Sequence, residues 1–331
     1  MHGNQPFDFN GASLLVTGGT GSFGRAFIKM VLEHYKPKRL IVFSRDELKQ
    51  FEMEQDISHP CLRYFIGDVR DEQRLMRALD GVDTVVHAAA LKQVPAAEYN
   101  PIECIRTNVL GAENVINASI TAGVKRVIAL STDKAVNPMN LYGATKLCSD
   151  KLFVAANNLS GSNGTIFSVV RYGNVIGSRG SVIPFFKNLV STGKLPITDS
   201  RMTRFWLTVE EGVSFVDICL NLMRGGEIFI PKIPSMKIVD LAKAIGPDCE
   251  LETIGIRPGE KLHEIMVPGD EALNTLEYDK YYIIHPAFQT WAAENTTYEG
   301  SEGRPVAENF EYASNSNTDW IDAEKLCKII D

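Results

Sequence analysis

The chain lacks any run of about eighteen consecutive apolar residues, so no segment has the length that a membrane-spanning helix needs. The N-terminus, MHGNQPFDFNG, also lacks the apolar core of a secretory signal. No CxxC pair is present. The six cysteines, at 61, 104, 148, 219, 249 and 327, stand far apart, which excludes a zinc knuckle or a small disulfide framework and predicts reduced, mostly buried thiols with no metal site. Positive charge is not in excess either. Lys and Arg number 34 against 41 Asp and Glu, for a net charge of −7, and nine acids against three bases fall between Glu294 and Asp331. The rest of the chain is nearly neutral, which excludes a broad electrostatic grip on nucleic acid or an anionic membrane and leaves room for a small anionic ligand in a local pocket. With 44% hydrophobic residues over 331 positions, there is enough apolar material for one large core or two modest ones. The expectation is a cytoplasmic globular protein.

Residues 13–17 (SLLVT) form a short apolar β-like run that ends in glycines, and residues 23–32 then place apolar side chains at helical spacing. Further strands are predicted at 39–43, 62–66, 84–87, 126–130 and 166–170, each separated by a helical pattern. This alternation predicts an α/β fold, a Rossmann-type doubly wound parallel sheet spanning residues 1–173. Beyond about Arg171 the regularity fades into Pro- and Gly-rich pieces, with helices predicted at 209–223 and 238–244. A smaller, mixed substrate-binding lobe is expected over 174–290, with elements of about 205–230 rejoining the first domain. Residues 291–331 form an acidic tail with a short amphipathic helix at 322–330. The tail either wraps the body or a partner subunit, or is mobile.

Gly18-Gly19-Thr20-Gly21-Ser22-Phe23-Gly24 fits GxGxxG from Gly19, and it sits between a predicted strand and a predicted helix. In that context backbone amides and the helix dipole meet a pyrophosphate. Thr20, Gly21, Ser22, Phe23 and Gly24 are therefore candidate cofactor contacts, with Gly18 at the turn. The second strand ends in Phe43-Ser44-Arg45 where NAD-binding versions carry a carboxylate. Arg45, with Ser44 and Lys49, favours NADP by offering charge-assisted hydrogen bonds to a 2′-phosphate. Asp46 and Glu47 argue the other way, although Asp46 could equally cap the next helix. Asp68 and Val69, after the third strand, are placed near the adenine. Ala88, Ala89 and Ala90 are small residues at the end of the fourth strand, which lets a cofactor lie close, while His87 reads as a packed strand residue.

Tyr142-Gly143-Ala144-Thr145-Lys146 sets a phenol and an ammonium four residues apart, on one face of a helix. A neighbouring ammonium lowers a phenol's pKa from about 10, which makes a tyrosinate base available. Upstream, Thr132-Asp133-Lys134 closes the fifth strand, and carboxyl ends of strands face the ligand crevice in such sheets. Tyr142 and Lys146 suffice for redox chemistry at an alcohol. Asp133 and Lys134 add a second acid and base suited to proton abstraction beside a carbonyl and loss of water, unless they merely cap the junction or pair with each other.

The motifs TGGTGSFG, SRDELKQ, GDVRD, HAAALKQVP, STDKAVNP, YGATK, RYGNVIGSRGSV, PITD, MTRFW, GGEIFIPKIPSM and GIRPGEKLHE resemble the inverting UDP-N-acetylglucosamine 4,6-dehydratases of the pseudaminic acid pathway type, within the extended short-chain dehydrogenase/reductase group. The resemblance covers residues 10–285 and continues more loosely through FEYASNSNTDW. It implies NADP as a recycled hydride carrier, UDP-N-acetylglucosamine as substrate, and a homo-oligomer. Tyr142, tuned by Lys146 and oriented with Thr132, would take the 4-hydroxyl proton. Lys134 would remove the carbon-5 proton and Asp133 would protonate the leaving 6-hydroxyl. Asn108 and Tyr172 join the implied cofactor contacts. The implied substrate contacts are Lys92, Asn174, Arg179, Ser181, Val182, Lys187, Thr198, Arg204, Arg257 and Glu260. A UDP-sugar 4-epimerase would share Tyr142 and Lys146 but has no need of Asp133-Lys134. A non-catalytic NADP-binding regulator would need none of the four.

Overall fold

The computed structural model describes residues 7–161, 164–177, 182–287, 296–322 and 325–326. In chain order the first half builds β1 (Ser13–Thr17), α1 (Ser22–His34), β2 (Arg39–Ser44), α2 (Glu47–Asp56), β3 (Leu62–Ile66), α3 (Glu72–Ala78) and β4 (Thr84–His87). Then follow α4 (Val94–Tyr99), α5 (Pro101–Ile105), a π-helical turn at Arg106–Leu110, α6 (Gly111–Ala122), β5 (Arg126–Thr132), α7 (Leu141–Ser160) and β6 (Ile166–Tyr172). The strand order β3-β2-β1-β4-β5-β6 is parallel throughout, the doubly wound Rossmann arrangement, and it puts the crevice at the carboxyl ends beside the β1/β4 switch point. Strands covered by helices on both faces read as continuous apolar runs, and β1 and β4 are buried at every position.

The second half adds β7 (Asn174–Val175), α8 (Val182–Leu189), β8 (Lys194–Ile197), β9 (Thr203–Leu207), α9 (Val209–Leu222) and β10 (Ile228–Pro231). It continues with β11 (Ser235–Lys237), α10 (Ile238–Ile245), β12 (Glu250–Thr253), β13 (Ile265–Val267), β14 (Thr275–Glu277) and β15 (Tyr281–Ile284). Helix α9 begins in a capping box between Thr208 and Glu211. It returns to the first domain, where Asp217 accepts from the Tyr35 hydroxyl at 2.9 Å and the Leu220 carbonyl accepts from Arg126 at 2.7 Å. β10 pairs parallel with β6, and β15 and β14 extend the same sheet antiparallel, with residues 304–305 at its edge. Of the stretch 174–290 expected as a separate lobe, residues 275–277 and 281–284 belong to the large sheet. A second core under the lobe gathers Phe186, Leu195, Trp206, Met236 and Leu241.

The tail lies against the body. Tyr312 donates to the Ile233 carbonyl and accepts its N–H, both at 2.9 Å, residues 312–313 pair with β13, and Ile321 and Leu326 enter the second core. The terminal helix expected at 322–330 falls mostly outside the described residues. Cys61, Cys104 and Cys219 are buried free thiols, whereas Cys148 is exposed. Among the described residues no helix is long and apolar enough to cross a membrane, and no group of side chains could hold a metal ion.

Candidate active site

A cleft of about 730 Å³ opens at the carboxyl ends of the parallel strands. Gly18, Thr20, Gly21, Ser22, Phe23 and Gly24 form one wall, at the turn from β1 into α1. Gly18 has φ +65°, and a Cβ there would sit 2.9 Å from the Ala89 amide nitrogen, so only glycine lets the turn lie against Ala88 and Ala89. Ala88, Ala89 and Ala90 line the floor. Thr17 holds that floor, because its hydroxyl accepts from the Ala88 and Ala89 N–H groups at 3.1 and 3.2 Å and contacts His87 Nδ1 at 2.8 Å. A hydroxyl that accepts twice must donate to His87, which makes Nδ1 the acceptor and assigns the imidazole as the Nε2–H tautomer. Burial and the Lys146 charge push His87 down to about 3, so it is a neutral packing residue, as its place in the strand suggested.

Ser44, Arg45, Lys49, Asp68 and Val69 line the far end. Asp46 caps α2, accepting from the Lys49 N–H at 3.0 Å, and pairs with the Lys49 ammonium at 2.5 Å. The Asp68 carboxylate takes Arg70 Nε and Nη2 at 3.0 and 2.7 Å and lies 3.5 Å from Arg45. Burial works to raise its pKa, but the Arg70 hydrogen bonds outweigh it and hold the carboxyl below its ordinary range. Glycines at the helix start, small residues on the floor and a half-exposed guanidinium at the second strand's end form a donor set that fits a dinucleotide. Asn108 stands apart from it. Its amide accepts from the Leu91 N–H at 2.8 Å and donates to the Leu91 carbonyl at 2.9 Å and to Thr145 at 3.0 Å, so it braces the loop after β4 from behind rather than lining the cleft.

Asn140 caps α7 by accepting from the Gly143 N–H at 2.8 Å, and places Tyr142 and Lys146 on the cleft face. Gly143 is required at that point, because a Cβ would collide with the Lys134 carbonyl. Tyr142 is pushed up to about 12, chiefly by burial, and Asp133 adds to the shift, while the Lys134 charge and a hydrogen bond with Thr132 favour the phenolate. The cation that most favours the phenolate is therefore Lys134, not Lys146 as expected. Lys146 is lowered by burial and held up against it by Asp150, four residues on. Tyr172 lies alongside, its phenol raised by burial and by Tyr142.

Lys134 enters the cleft with its ammonium 3.0 Å from Asp133 Oδ1, 3.3 Å from Asn174 Oδ1 and 3.5 Å from Glu264 Oε1. Burial disfavours its charge, but the two carboxylates more than offset that and raise its pKa. Asp133 lies beneath, wholly buried, with Oδ1 also accepting from Thr132 at 2.8 Å and Oδ2 without a hydrogen-bond partner. It does not line the cleft, as a direct contact with a leaving hydroxyl would need, whereas Lys134 does.

The expected substrate residues divide. Lys92, Asn174 and Val182 line the cleft, and Lys92 is lowered by burial of its stem and by Lys134. Arg179 and Ser181 lie outside the described residues. Lys187 and Arg257 are exposed and do not line the cleft, and Thr198 is buried against Met202, its hydroxyl 3.1 Å from the sulfur. Arg204 is not a free phosphate ligand. It is buried and donates to the carbonyls of Thr203, Lys261 and Leu262 at 2.7, 2.9 and 3.1 Å, beside the carboxylates of Glu260 and Glu264. Trp206, Val175 and Gln93 line the cleft without having been expected there. Burial alone does not mark them in sequence.

These features define a Rossmann-type protein whose cleft holds a tyrosine–lysine pair and, near its tyrosine, a second lysine backed by carboxylates. The chain belongs to the polysaccharide biosynthesis protein family, whose model matches residues 14–286. It is 58% identical over 327 residues to a UDP-N-acetylglucosamine 4,6-dehydratase (inverting) of Campylobacter jejuni, covering 97% of this chain and 98% of the relative. A UDP-glucose 4-epimerase of Rickettsia canadensis is 44% identical over 280 residues, 82% of each chain. The crystal structure of DesIV, a dTDP-glucose 4,6-dehydratase from Streptomyces venezuelae with NAD and TYD bound, superposes with a TM-score of 0.69 at 26% identity, over 76% of this chain and 86% of that one.

Proposed function

We propose that the protein is a nicotinamide-dependent UDP-sugar dehydratase that converts UDP-N-acetylglucosamine, with inversion at carbon 5, to UDP-2-acetamido-2,6-dideoxy-β-L-arabino-hexos-4-ulose. The reading rests on one observation above the rest. Lys134, paired with Asp133, faces the same cleft as Tyr142 and Lys146, an acid–base unit that alcohol oxidation alone does not require. Bound along the glycine turn, the dinucleotide supplies a reversible two-electron oxidation of the sugar alcohol. Arg45 supports NADP over NAD, and the exposed Tyr99, Ile102 and Leu110 support an assembly of copies of this chain. The protein is proposed to act in the cytoplasm at the first step of a pseudaminic-acid-type surface-sugar pathway.

Tyr142 takes the proton of the 4-hydroxyl as phenolate, a form that burial and Asp133 oppose and that the Lys134 charge and the Thr132 hydrogen bond work to restore. A carbonyl at carbon 4 makes the carbon-5 hydrogen acidic. Asp133 takes the ammonium proton across the 3.0 Å contact, and the freed Lys134 amine removes the carbon-5 proton. The same ammonium then protonates the 6-oxygen as water leaves, giving a 4-keto-5,6-ene. The hydride taken from carbon 4 returns to carbon 6, and protonation of carbon 5 from the opposite face, with the equivalent of the proton taken from the 4-hydroxyl, inverts the centre. Proton NMR of the product from UDP-N-acetylglucosamine tests this reading. A new carbon-6 methyl signal is expected. The Rickettsia relative favours a second reading, a 4-epimerase, which would show an altered carbon-4 configuration and no methyl.

A further inference from the structure

Glu264 is a buried carboxylate that sequence patterning does not single out, and the fold goes to some length to place it. It is 2% exposed and lies on the stretch between β12 and β13 that crosses from the substrate lobe to the loop before α7. That stretch is strapped down at several points. Gly259 accepts from Asn140 at 2.8 Å, the Lys261 ammonium donates to the Val136 carbonyl, and Arg204 holds the carbonyls of Lys261 and Leu262. At Glu264 itself the backbone is clamped by the tail, with its N–H donating to the Ser314 hydroxyl at 2.9 Å and its carbonyl accepting the Ser314 N–H at 2.8 Å. The carboxylate thus delivered meets three cations, Lys134 at 3.5 Å and Arg204 and Lys261 at 3.7 Å each, and Oε2 has no hydrogen-bond partner. A buried carboxylate oxygen without a hydrogen bond is costly. Neither the lobe's apolar core nor its sheets gain from that oxygen, so its role lies in the charges it faces.

We propose that Glu264 is a positioning residue for the reaction, holding the Lys134 ammonium between Asp133 and Asn174 at the sugar end of the cleft and setting the pH at which that lysine yields its proton. The inference rests on the dehydratase reading above. Lys134 is faced by Asp133 from its own turn, Tyr142 from α7, Asn174 from β7, Arg204 from β9, Lys92 from the loop after β4, and Lys261 and Glu264 from the strap. Removing the Glu264 charge leaves Asp133 as the one carboxylate acting on Lys134, with Arg204, Lys261 and Lys92 nearby and Glu260 held on Arg204. The neutral amine then becomes easier to form while its aim is lost.

The test is the pH profile of kcat for Glu264→Gln, with product followed by NMR. The acidic limb is expected to move to lower pH by about one unit, with kcat at its plateau reduced at least tenfold and the KM for UDP-N-acetylglucosamine within about threefold of the parent, a split expected of lost positioning rather than lost binding. Glu264→Asp keeps the charge and withdraws it by one methylene. It should move the limb in the same direction by less and recover part of kcat, and it carries the test should the glutamine variant fail to fold. A limb that stays in place in a folded variant of either kind, with kcat and KM impaired together, overturns the proposal and leaves Glu264 as a structural brace. Should the parent protein itself form no 6-deoxy product, the dehydratase reading fails first, independently of any Glu264 variant.

Discussion

Arg204 gives the sharpest contrast between a ligand and a strut. Its guanidinium is buried and donates to three backbone carbonyls at 2.7 to 3.1 Å. Arg204→Lys keeps the positive charge, but one ammonium cannot reproduce a planar fork, so at least two of those carbonyls lose their donor. Charge-assisted hydrogen bonds contribute about 1.5–3 kcal/mol each, so the loss of two is about 3–6 kcal/mol. For 331 residues at about 2.1 cal/mol/K each, unfolding entropy is roughly 0.7 kcal/mol/K, and the midpoint should fall by about 4–9 °C. Calorimetry reads the midpoint, and the KM for UDP-N-acetylglucosamine is measured on the same preparation. An unchanged midpoint with a KM raised tenfold or more would mean that Arg204 swings out to bind phosphate, and the clamp described above would be refuted.

Four further outcomes are expected. Tyr142→Phe removes the phenolic proton acceptor without touching the glycine turn, and should abolish product while cofactor affinity, followed by fluorescence titration, stays within about threefold. Lys134→Ala should slow the first oxidation, since the Tyr142 phenolate loses its main supporting charge, yet still permit some reduced nicotinamide absorbance, and form no 6-deoxy sugar; normal product yield would move the carbon-5 base to another residue. Arg45→Ala should weaken NADP tenfold or more and NAD little, and equal losses would overturn the cofactor preference. His87 is held neutral in the folded chain with its pKa lowered from 6.5 to about 3, so the unfolded chain binds the extra proton between those values. Stability should be fully present above about pH 6.5 and fall by up to ~1.4 kcal/mol per unit as pH drops toward 3, and His87→Asn should flatten that part of the denaturation-midpoint profile.

Much of the first domain was legible because its signals are local. The runs at Ser13–Thr17, Leu62–Ile66 and Thr84–His87 are apolar stretches bounded by turn residues, and each is a strand with the bounds the pattern suggests. β5 and β6 run two residues beyond the expected ends, to Thr132 and Tyr172, because ladder pairing in the sheet extends past the last apolar residue. The meeting of Lys134 with Tyr142 followed from the rule that strand ends face the crevice. What sequence could not show was competition for a charge. Arg204 looks like any basic residue in an irregular segment until Leu262 and Lys261 bring their carbonyls to it. Asp133 precedes Lys134 by one residue and still ends up beneath it, since the short turn after β5 points successive side chains in different directions. Glu264 sits within a recognisable motif, yet its placement depends on Ser314, fifty residues away in a tail whose polar composition left wrapping and mobility both open.

The central claim is that electrons taken from carbon 4 of the sugar return to carbon 6 of the same molecule. UDP-N-acetylglucosamine carrying deuterium at carbon 4, turned over by the purified protein, tests it directly. The account predicts a monodeuterated carbon-6 methyl group in the 4-keto product. A carbon-6 methyl free of label, or label still bound at carbon 4 in an epimerised sugar, would contradict it.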